Sequence, residues 1–525
     1  METNLIRPFS EEYNDYLRDE SRSVGRADHI AFPRSTDEIR AIMRDRFAIG
    51  EKVTVQGART GLSAAAVPDG GCVVNLSKMD RVTAMRREND AYYLTVQPGA
   101  ILSEVRKMVA SKKFDTTGWD DASKAAYADF CKDGEFFFPP DPTETSATLG
   151  GMVSCNASGA RSFLYGPTRS HITKVTAVLT DGRTLTEKRG GDRANGYDAV
   201  FFCDDGSRIR AKIPTYEMPR TKNASGYYAK KDMELIDVLI GSDGTLGVIC
   251  ELEIALRRLP QMIWGVSLLF GDEEESLRFV GSVRKKVGGI AALEYFDPHA
   301  LDILREQKKG NSAFSALPAI DDSVKSVVYA ELHAETEEEA LDKLFAVGKE
   351  FAEAGGKEEN TWVARNQSDL DRLLFFRHAV PESVNMLIDL RKQKEPAITK
   401  LGADMSVPDE RLADVVEMYR TTLKENRLES ASWGHIGNNH LHVNVLPNNA
   451  EEYRRAKELF LSWADRVTKM GGAVSAEHGV GKLKTAFLKV MYGEAHVDEM
   501  RALKRAFDPK WQLGCGNLFT EKEGF

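Results

Sequence analysis

The chain has 525 residues, 42% hydrophobic and 29% charged, more than one hydrophobic core usually supports, which predicts two or more globular units. Its 71 basic and 80 acidic side chains are mixed along the sequence, for a formal charge of −9, so no basic stripe marks it for nucleic acid. The opening stretch METNLIRPFSEEYNDYLRDESRS lacks the apolar core of a secretory signal, and no apolar run reaches spanning length; the expected setting is cytoplasmic, with peripheral attachment to the inner membrane left open.

In chain order, KVTVQGARTGLSAAAVPDGGCVVNLSKM reads as a strand, a glycine loop, a short helix, a turn at Asp69 to Gly71 and a second strand. Gly57 and Gly61 in that loop let backbone N–H groups face an anion without a Cβ in the way. Neither GxGxxG nor GK[ST] is present, so taken alone the loop reads first as a tight β–α turn. HITKVTAVLTDGRTL predicts a hairpin turning at Asp181–Gly182, residues 186 to 233 an excursion, and DVLIGSDGTLGVICELEIAL a strand, a glycine turn and a strand. This first unit, residues 1 to 259, is α+β and built around loops.

At Leu259–Pro260 the texture changes. Helical periods at Gly271 to Lys286 and Thr336 to Gly355 alternate with the β runs WGVSLLF and SVVYAELHA, which predicts a second α+β unit with an antiparallel sheet over 260 to 447. A helix follows from Ala450 to Met470, with Tyr453, Ala456, Phe460, Trp463, Val467 and Met470 as its core stripe and Gly471–Gly472 as its stop. No internal repeat is evident. The six cysteines are widely spaced without a CxxC pair, so reduced thiols are expected, and any iron–sulfur relay would sit on a partner.

Three more segments join the first glycine loop: FPPDPTETSATLGGMVSCNASGARSFLYGPTRSHI, NASGYY and LIGSDGTLGVI. In this order they resemble the flavin-binding domain of the vanillyl-alcohol oxidase superfamily, in its branch of D-lactate, glycolate and D-2-hydroxyglutarate dehydrogenases. The resemblance runs from about Asp19 to about Phe519. It implies an α+β chain with a PCMH-type FAD-binding domain (1–259), a ferredoxin-like α+β cap that holds substrate (260–447), and a last segment (448–525) returning to the flavin domain. By motif, Gln56, Gly57, Ala58, Arg59, Thr60 and Gly61 would wrap the FAD pyrophosphate. Pro140, Asp141, Thr145, Gly150, Gly151, Ser154, Asn156, Ser158 and Gly159 would line the ribityl chain and isoalloxazine, and Gly247 to Ile249 the adenine side or ring edge. Glycine-rich turns suit a pyrophosphate because they give donors at close approach. The family's run of glycines is replaced here by Ala58–Arg59, where Arg59 could add a positive charge. Some relatives tether FAD through a histidine or cysteine; the first loop has neither and His171 lies beyond the second, so FAD is expected to be non-covalent.

In SWGHIGNNHLHVNV the positions Leu441, Val443 and Val445 alternate with His440, His442 and Asn444, as on a strand with one polar face. His435 precedes the turn at Gly437–Asn439, so strand and turn can aim two imidazoles at one point. A first-row metal wants a further ligand, often a carboxylate, and GGAVSAEHGVGKLK offers Glu477. The related enzymes carry GHxGDGNLH and a later EHG. That match implies a divalent metal on His435, His442 and Glu477, zinc first with manganese or iron also suited, and His478 as catalytic base. Asn438–Asn439–His440 stands where Asp–Gly–Asn is usual; His440 is left to bond a neighbour, touch substrate or face solvent.

These parts would oxidise a D-2-hydroxy acid such as D-lactate, glycolate or D-2-hydroxyglutarate. An imidazole titrating in the neutral range takes the hydroxyl proton, the metal polarises the hydroxyl, and FAD takes the hydride. A forked cation suits the substrate carboxylate; Arg377 in LLFFRHAVPESVN matches the family's substrate arginine, with Lys400 in TKLGADMSVP beside it. Electrons would leave to an external quinone, cytochrome, electron-transferring flavoprotein or iron–sulfur subunit. The oligomer is left open, a homodimer included. The alternatives are a non-redox flavoenzyme like alkyl-dihydroxyacetonephosphate synthase, and a non-catalytic flavin- or metal-binding subunit. The tail DPKWQLGCGNLF has Gly514–Cys515 in place of the family's Asn–Pro.

Overall fold

Short β-branched runs broken by glycine turns build two larger sheets and two two-stranded pairs in the first 259 residues of the computed structural model, which describes residues 5–522. Ile6–Pro8 (β1), His29–Ala31 (β2), Val53–Gln56 (β3) and Cys72–Asn75 (β4) lie in the order β1-β2-β4-β3. Val82–Glu88 (β5), Ala91–Val96 (β6), Ile172–Val178 (β7), Thr184–Lys188 (β8) and Val248–Ala255 (β9) follow as β5-β6-β9-β7-β8. The hairpin β7–β8 turns where expected, with Gly182 at φ +80. Helix α1 (Thr36–Ile49) is capped by Ser35, ends on Gly50 at φ 72 and buries Ile39, Ile42 and Met43. Helix α2 (Leu149–Cys155) begins at Thr148, whose hydroxyl accepts from Gly151 N–H, and stops at Asn156 in the left-handed region.

Two local expectations differ. Residues 61 to 68 form turns rather than a short helix, because the Ser63 carbonyl accepts from the Lys482 and Leu483 N–H groups of the returning tail instead of from its own chain four residues on. Ile236–Leu239 is one helical turn, not a strand; four residues buried on all sides, Asp237 among them, carry no period that separates the two.

The second unit contains the strand and helix order of a ferredoxin-like motif twice. Met262–Phe270 (β10), Glu273–Lys286 (α3), Ile290–Phe296 (β11), Ser326–Ala334 (β12), Glu337–Glu353 (α5) and Thr361–Ala364 (β13) give the antiparallel order β13-β10-β12-β11, with Pro298–Gly310 (α4) added between β11 and β12. After the long helix Gln367–Lys394 (α6), Leu401–Gly402 (β14), Met405–Ser406 (β15), Leu412–Glu425 (α7), Ser430–Gly434 (β16), His440–Val445 (β17) and Ala450–Lys469 (α8) repeat it, β17 lying between β16 and β15. Ala473 bridges Ser406 in the place of the fourth strand. Strands β11 and β16 join the halves edge to edge through Tyr295↔Gly434 and Phe296↔Trp433. The repeat is one of topology, which residue identities alone do not display.

The stripe of α8 is core as expected, with Ala456, Phe460, Trp463 and Val467 buried against Tyr419 and Val474. That helix packs in the cap, so the expected break at 447 falls inside the cap rather than at its end. The return to the first unit is made by Thr485–Phe507 (α9), whose Leu488, Met500, Leu503 and Phe507 share a core with Tyr92 and Leu252. No helix among the described residues is long and apolar enough to cross a membrane.

Candidate active site at the seam of the cap

Strand β17 alternates as its sequence predicts: Leu441, Val443 and Val445 enter the cap core, which turns His440, His442 and Asn444 to the other face. That face is itself covered, with His440 fully buried. Gly434 sits at φ +130, and a Cβ there would meet His442 Cδ2 at 2.7 Å; only glycine lets the chain turn from β16 into His435 this close to the second imidazole. Asn439 at φ 51 completes the turn.

Glu477, on the loop after α8, lies at the centre. Its Oε1 is 3.4 Å from His435 Nε2, 3.5 Å from His442 Nε2 and 3.5 Å from His478 Nε2. Its Oε2 is 2.6 Å from Lys222 Nζ, accepts from Ser158 Oγ at 3.3 Å and lies 3.9 Å from His440 Nδ1. Donor atoms of His435, His440, His442 and Glu477 fall within 4.8 Å of one another. Two ligands about 2.1 Å from one metal at a tetrahedral angle sit roughly 3.4 Å apart, so the spacing of His435, His442 and Glu477 fits a cation. The buried His440 Nδ1, without a hydrogen-bond partner, fits too. Imidazole with carboxylate suits zinc, manganese or iron.

Carboxylates behind the imidazoles fix their direction. His435 Nδ1 is 2.7 Å from Glu294 Oε1 on β11, and His440 Nε2 is 3.0 Å from Asp404 Oδ1 between β14 and β15. Asp404 also accepts from the N–H groups of Glu477 and His478 at 3.1 Å and from Lys484 Nζ at 2.6 Å. Burial opposes ionisation of Glu477, yet Lys222 and His435 hold its carboxyl well below the usual range. Burial opposes it in Asp404 as well, outweighed by His478 and Lys484. Desolvation pushes His440 down to about 4, and desolvation together with His440 pushes His442 well below the ordinary imidazole value. Neutral imidazoles are the ligand form. His435 differs: burial lowers it, but Glu294 reverses the sign.

The glycine loops meet this cluster. Gln56 is pinned by Nε2 to Tyr16 O at 2.7 Å and Ala66 O at 2.8 Å, and a Cβ on Gly57 would strike Thr148 Oγ1 at 2.1 Å, so the first loop abuts the start of α2. The N–H groups of Ala58, Arg59, Thr60 and Gly61 donate to no acceptor among the described residues, an anion-facing row of the kind a pyrophosphate needs. Arg59, at φ 61, lays its guanidinium 4.4 Å over Tyr16. Pro140 O accepts from Arg106 and Asp141 from Arg161 N–H, while Thr145 O accepts from Ser103 N–H. Gly150 approaches Pro98, and Gly159 approaches Asp141 so closely that a Cβ would sit 2.0 Å from its carbonyl. Gly151 donates to Thr148, Ser154 O accepts from Asp243 N–H, and Asn156 Oδ1 accepts from Arg169 N–H. Ser158 reaches Glu477, and Gly159 O accepts from Lys222 at 3.4 Å. Gly247 and Ile249 stand apart at the head of β9, against Ala177 of β7. His171 is buried, with Nε2 2.9 Å from Tyr165 O.

Arg377, on α6, pairs Nε with Glu294 Oε2 at 3.0 Å, one residue behind His435; its two terminal nitrogens donate no hydrogen bond among the described residues. Lys400 Nζ lies 5.8 Å over Trp433, whose ring is 6.4 Å from His442.

Residues 27–121 and 125–187 match the FAD binding domain family, and residues 259–518 match the C-terminal domain of FAD linked oxidases. The chain belongs to the FAD-linked oxidases. Its N-terminal unit is thus the FAD-binding domain, and its cap the C-terminal domain of this oxidase family. Relatives include the glycolate oxidase subunit GlcD of Bacillus subtilis, 25% identical over 94% of this chain and 89% of that one. A D-lactate dehydrogenase of Archaeoglobus fulgidus is 27% identical over 93% and 90%, and a D-2-hydroxyglutarate dehydrogenase of Stutzerimonas stutzeri 24% over 99% and 97%. Among solved structures, p-cresol methylhydroxylase aligns with a TM-score of 0.67 over 98% of this chain and 94% of that one, and alkyldihydroxyacetonephosphate synthase with 0.63 over 98% and 82%. Both are 14% identical and show the fold alone: α+β, PCMH-type.

In this FAD-linked oxidase three site residues escaped the sequence reading. Glu294 and Asp404 are single acids in buried surroundings, Glu294 the one charge in a strand whose seven residues are all buried, a signal that it had a partner to meet. Lys222 directly precedes NASGYY; Thr221 Oγ1 donates to Val407 O and Ala224 N–H to Ser475 O, which lays this excursion along the cap.

Proposed function

We propose that the chain oxidises a D-2-hydroxy acid of the lactate, glycolate or 2-hydroxyglutarate class to the 2-oxo acid. The observation that carries the reading is the gathering of His435, His442, Glu477 and His478 around one point, with Ser158 of the second glycine loop touching Glu477. Bound FAD, held non-covalently on the loops of residues 56–61 and 140–159, supplies the hydride acceptor. A divalent cation on His435, His442 and Glu477, zinc first, supplies Lewis acidity toward the substrate hydroxyl.

His478 Nε2 faces the same carboxylate oxygen as the two ligand imidazoles, so it stands where a hydroxyl proton would be released. As that proton passes to His478, the Cα hydrogen leaves with its electron pair and the C–O bond becomes a carbonyl. The free ends of Arg377 offer a fork to the substrate carboxylate, and Glu294 fixes the stem of that arginine as it fixes His435. Lys222 neutralises Glu477 and balances the buried charge. Reoxidation of a bound flavin would fall to an external acceptor.

In an anaerobic titration of the FAD-loaded protein with D- and L-2-hydroxy acids, D-isomers are expected to bleach the flavin band. Bleaching by L-isomers only, or by none, would overturn the reading; the latter is what a non-redox flavoenzyme would give.

Lys400 provides a pH test. Burial, then Arg22, pulls its ammonium down to about 8, so it is cationic below that pH and neutral above. As a carboxylate partner it should make kcat/KM fall as pH rises through about 8. In Lys400→Met that limb should vanish; if the profile keeps it, another group titrates.

A further inference from the structure

His440 lies in the middle of the site, beside the three residues read as ligands. It is fully buried. Asp404 Oδ1 lies 3.0 Å from Nε2 on one side of the ring, out of line for a hydrogen bond, so that neither ring nitrogen has a hydrogen-bond partner among the described residues. The other nitrogen, Nδ1, is thereby turned toward Glu477 Oε2, 3.9 Å away. The ring centroid is 4.5 Å from that of His442 and 5.4 Å from that of His435. A carboxylate on one imidazole nitrogen with the opposite nitrogen aimed at a shared point is how metal-binding histidines are oriented, and His435 repeats the pattern with Glu294. A histidine kept only to face Asp404 would leave Nδ1 buried and unsatisfied, which is unfavourable.

We infer that His440 is a fourth protein ligand of the cation, through Nδ1, so that this chain holds it with three imidazoles and one carboxylate. The inference rests on the metal reading above and deepens it. A nitrogen-rich set favours iron, cobalt or zinc over manganese, magnesium or calcium, which prefer oxygen. It also fills a four-coordinate shell with protein atoms, so substrate has a place only on an ion that expands its shell, one place at five ligands and two at six.

The test uses the full FAD-loaded chain, stripped of metal and titrated with zinc. X-ray absorption of the zinc-loaded wild type should count three imidazoles, and His440→Asn should count two and bind zinc on the order of 100-fold more weakly, the upper end of what losing even an outer partner costs. Because the wild-type count needs no variant, a folding defect in His440→Asn does not blunt it. Two imidazoles in both proteins, with unchanged affinity, would overturn the fourth ligand and leave His440 as a partner of Asp404. If wild type takes up no zinc, or Glu477→Gln binds it as tightly, the metal reading itself falls, and this inference with it.

Discussion

Replacing His478 by alanine is expected to lower kcat for D-2-hydroxy acid oxidation by about 100- to 10,000-fold, the range of a lost general base, while FAD stays bound. The imidazole is poised by two contacts: Nε2 is 3.5 Å from Glu477 Oε1, and Nδ1 is 3.5 Å from Asp404 Oδ2. Its own N–H donates to the same aspartate, and the ring stacks on His442 at 5.5 Å. None of these interactions holds the glycine loops, so flavin absorbance should survive the substitution. Stopped-flow flavin reduction isolates the step from reoxidation. A rate within a few-fold of wild type would move the base elsewhere, Lys222 being the nearest other candidate at 2.6 Å from Glu477.

Glu477→Gln carries the second large effect. The side chains of Lys222 and Glu477 are 5% and 10% exposed, so this is a buried pair, and removing one member leaves an uncompensated charge that costs about 3–5 kcal/mol. Turnover and metal binding should be lost together with that stability. Adding Lys222→Met removes the stranded ammonium, so the double variant should regain most of the melting temperature without regaining activity. The two readouts separate the roles of one carboxylate: stability follows its charge balance, whereas activity follows its place among the imidazoles. Turnover recovered in the double variant would make Glu477 structural.

Much of this was legible in the chain. The alternation of HLHVNV placed His440 and His442 on one face, and EHG supplied the acid that the structure brings to them, because both are local patterns whose period or turn fixes direction. Helix α8 read clearly because its stripe is long. What stayed hidden came from pairing across distance. Glu294, Lys222 and Asp404 meet the histidines only once β11, the excursion before NASGYY and the turn between β14 and β15 have been folded together, and no spacing in sequence encodes that. The missing helix after the first loop has the same origin: the tail, from the far end of the chain, claims the Ser63 carbonyl. The excursion of residues 186 to 233, read only as a departure from the sheet pattern, carries Lys222 immediately before NASGYY.

Two residue pairs, Tyr295↔Gly434 and Phe296↔Trp433, stitch the cap's halves into one sheet. Immediately beside those stitches stand Glu294 on one half and His435 on the other. A slip of one residue would swing Glu294 to the opposite surface and release His435 from its anchor. On the proposed reading, fidelity of strand registration at this joint would be read out as catalytic competence, and a lesion there would announce itself in kinetics before it announced itself in unfolding.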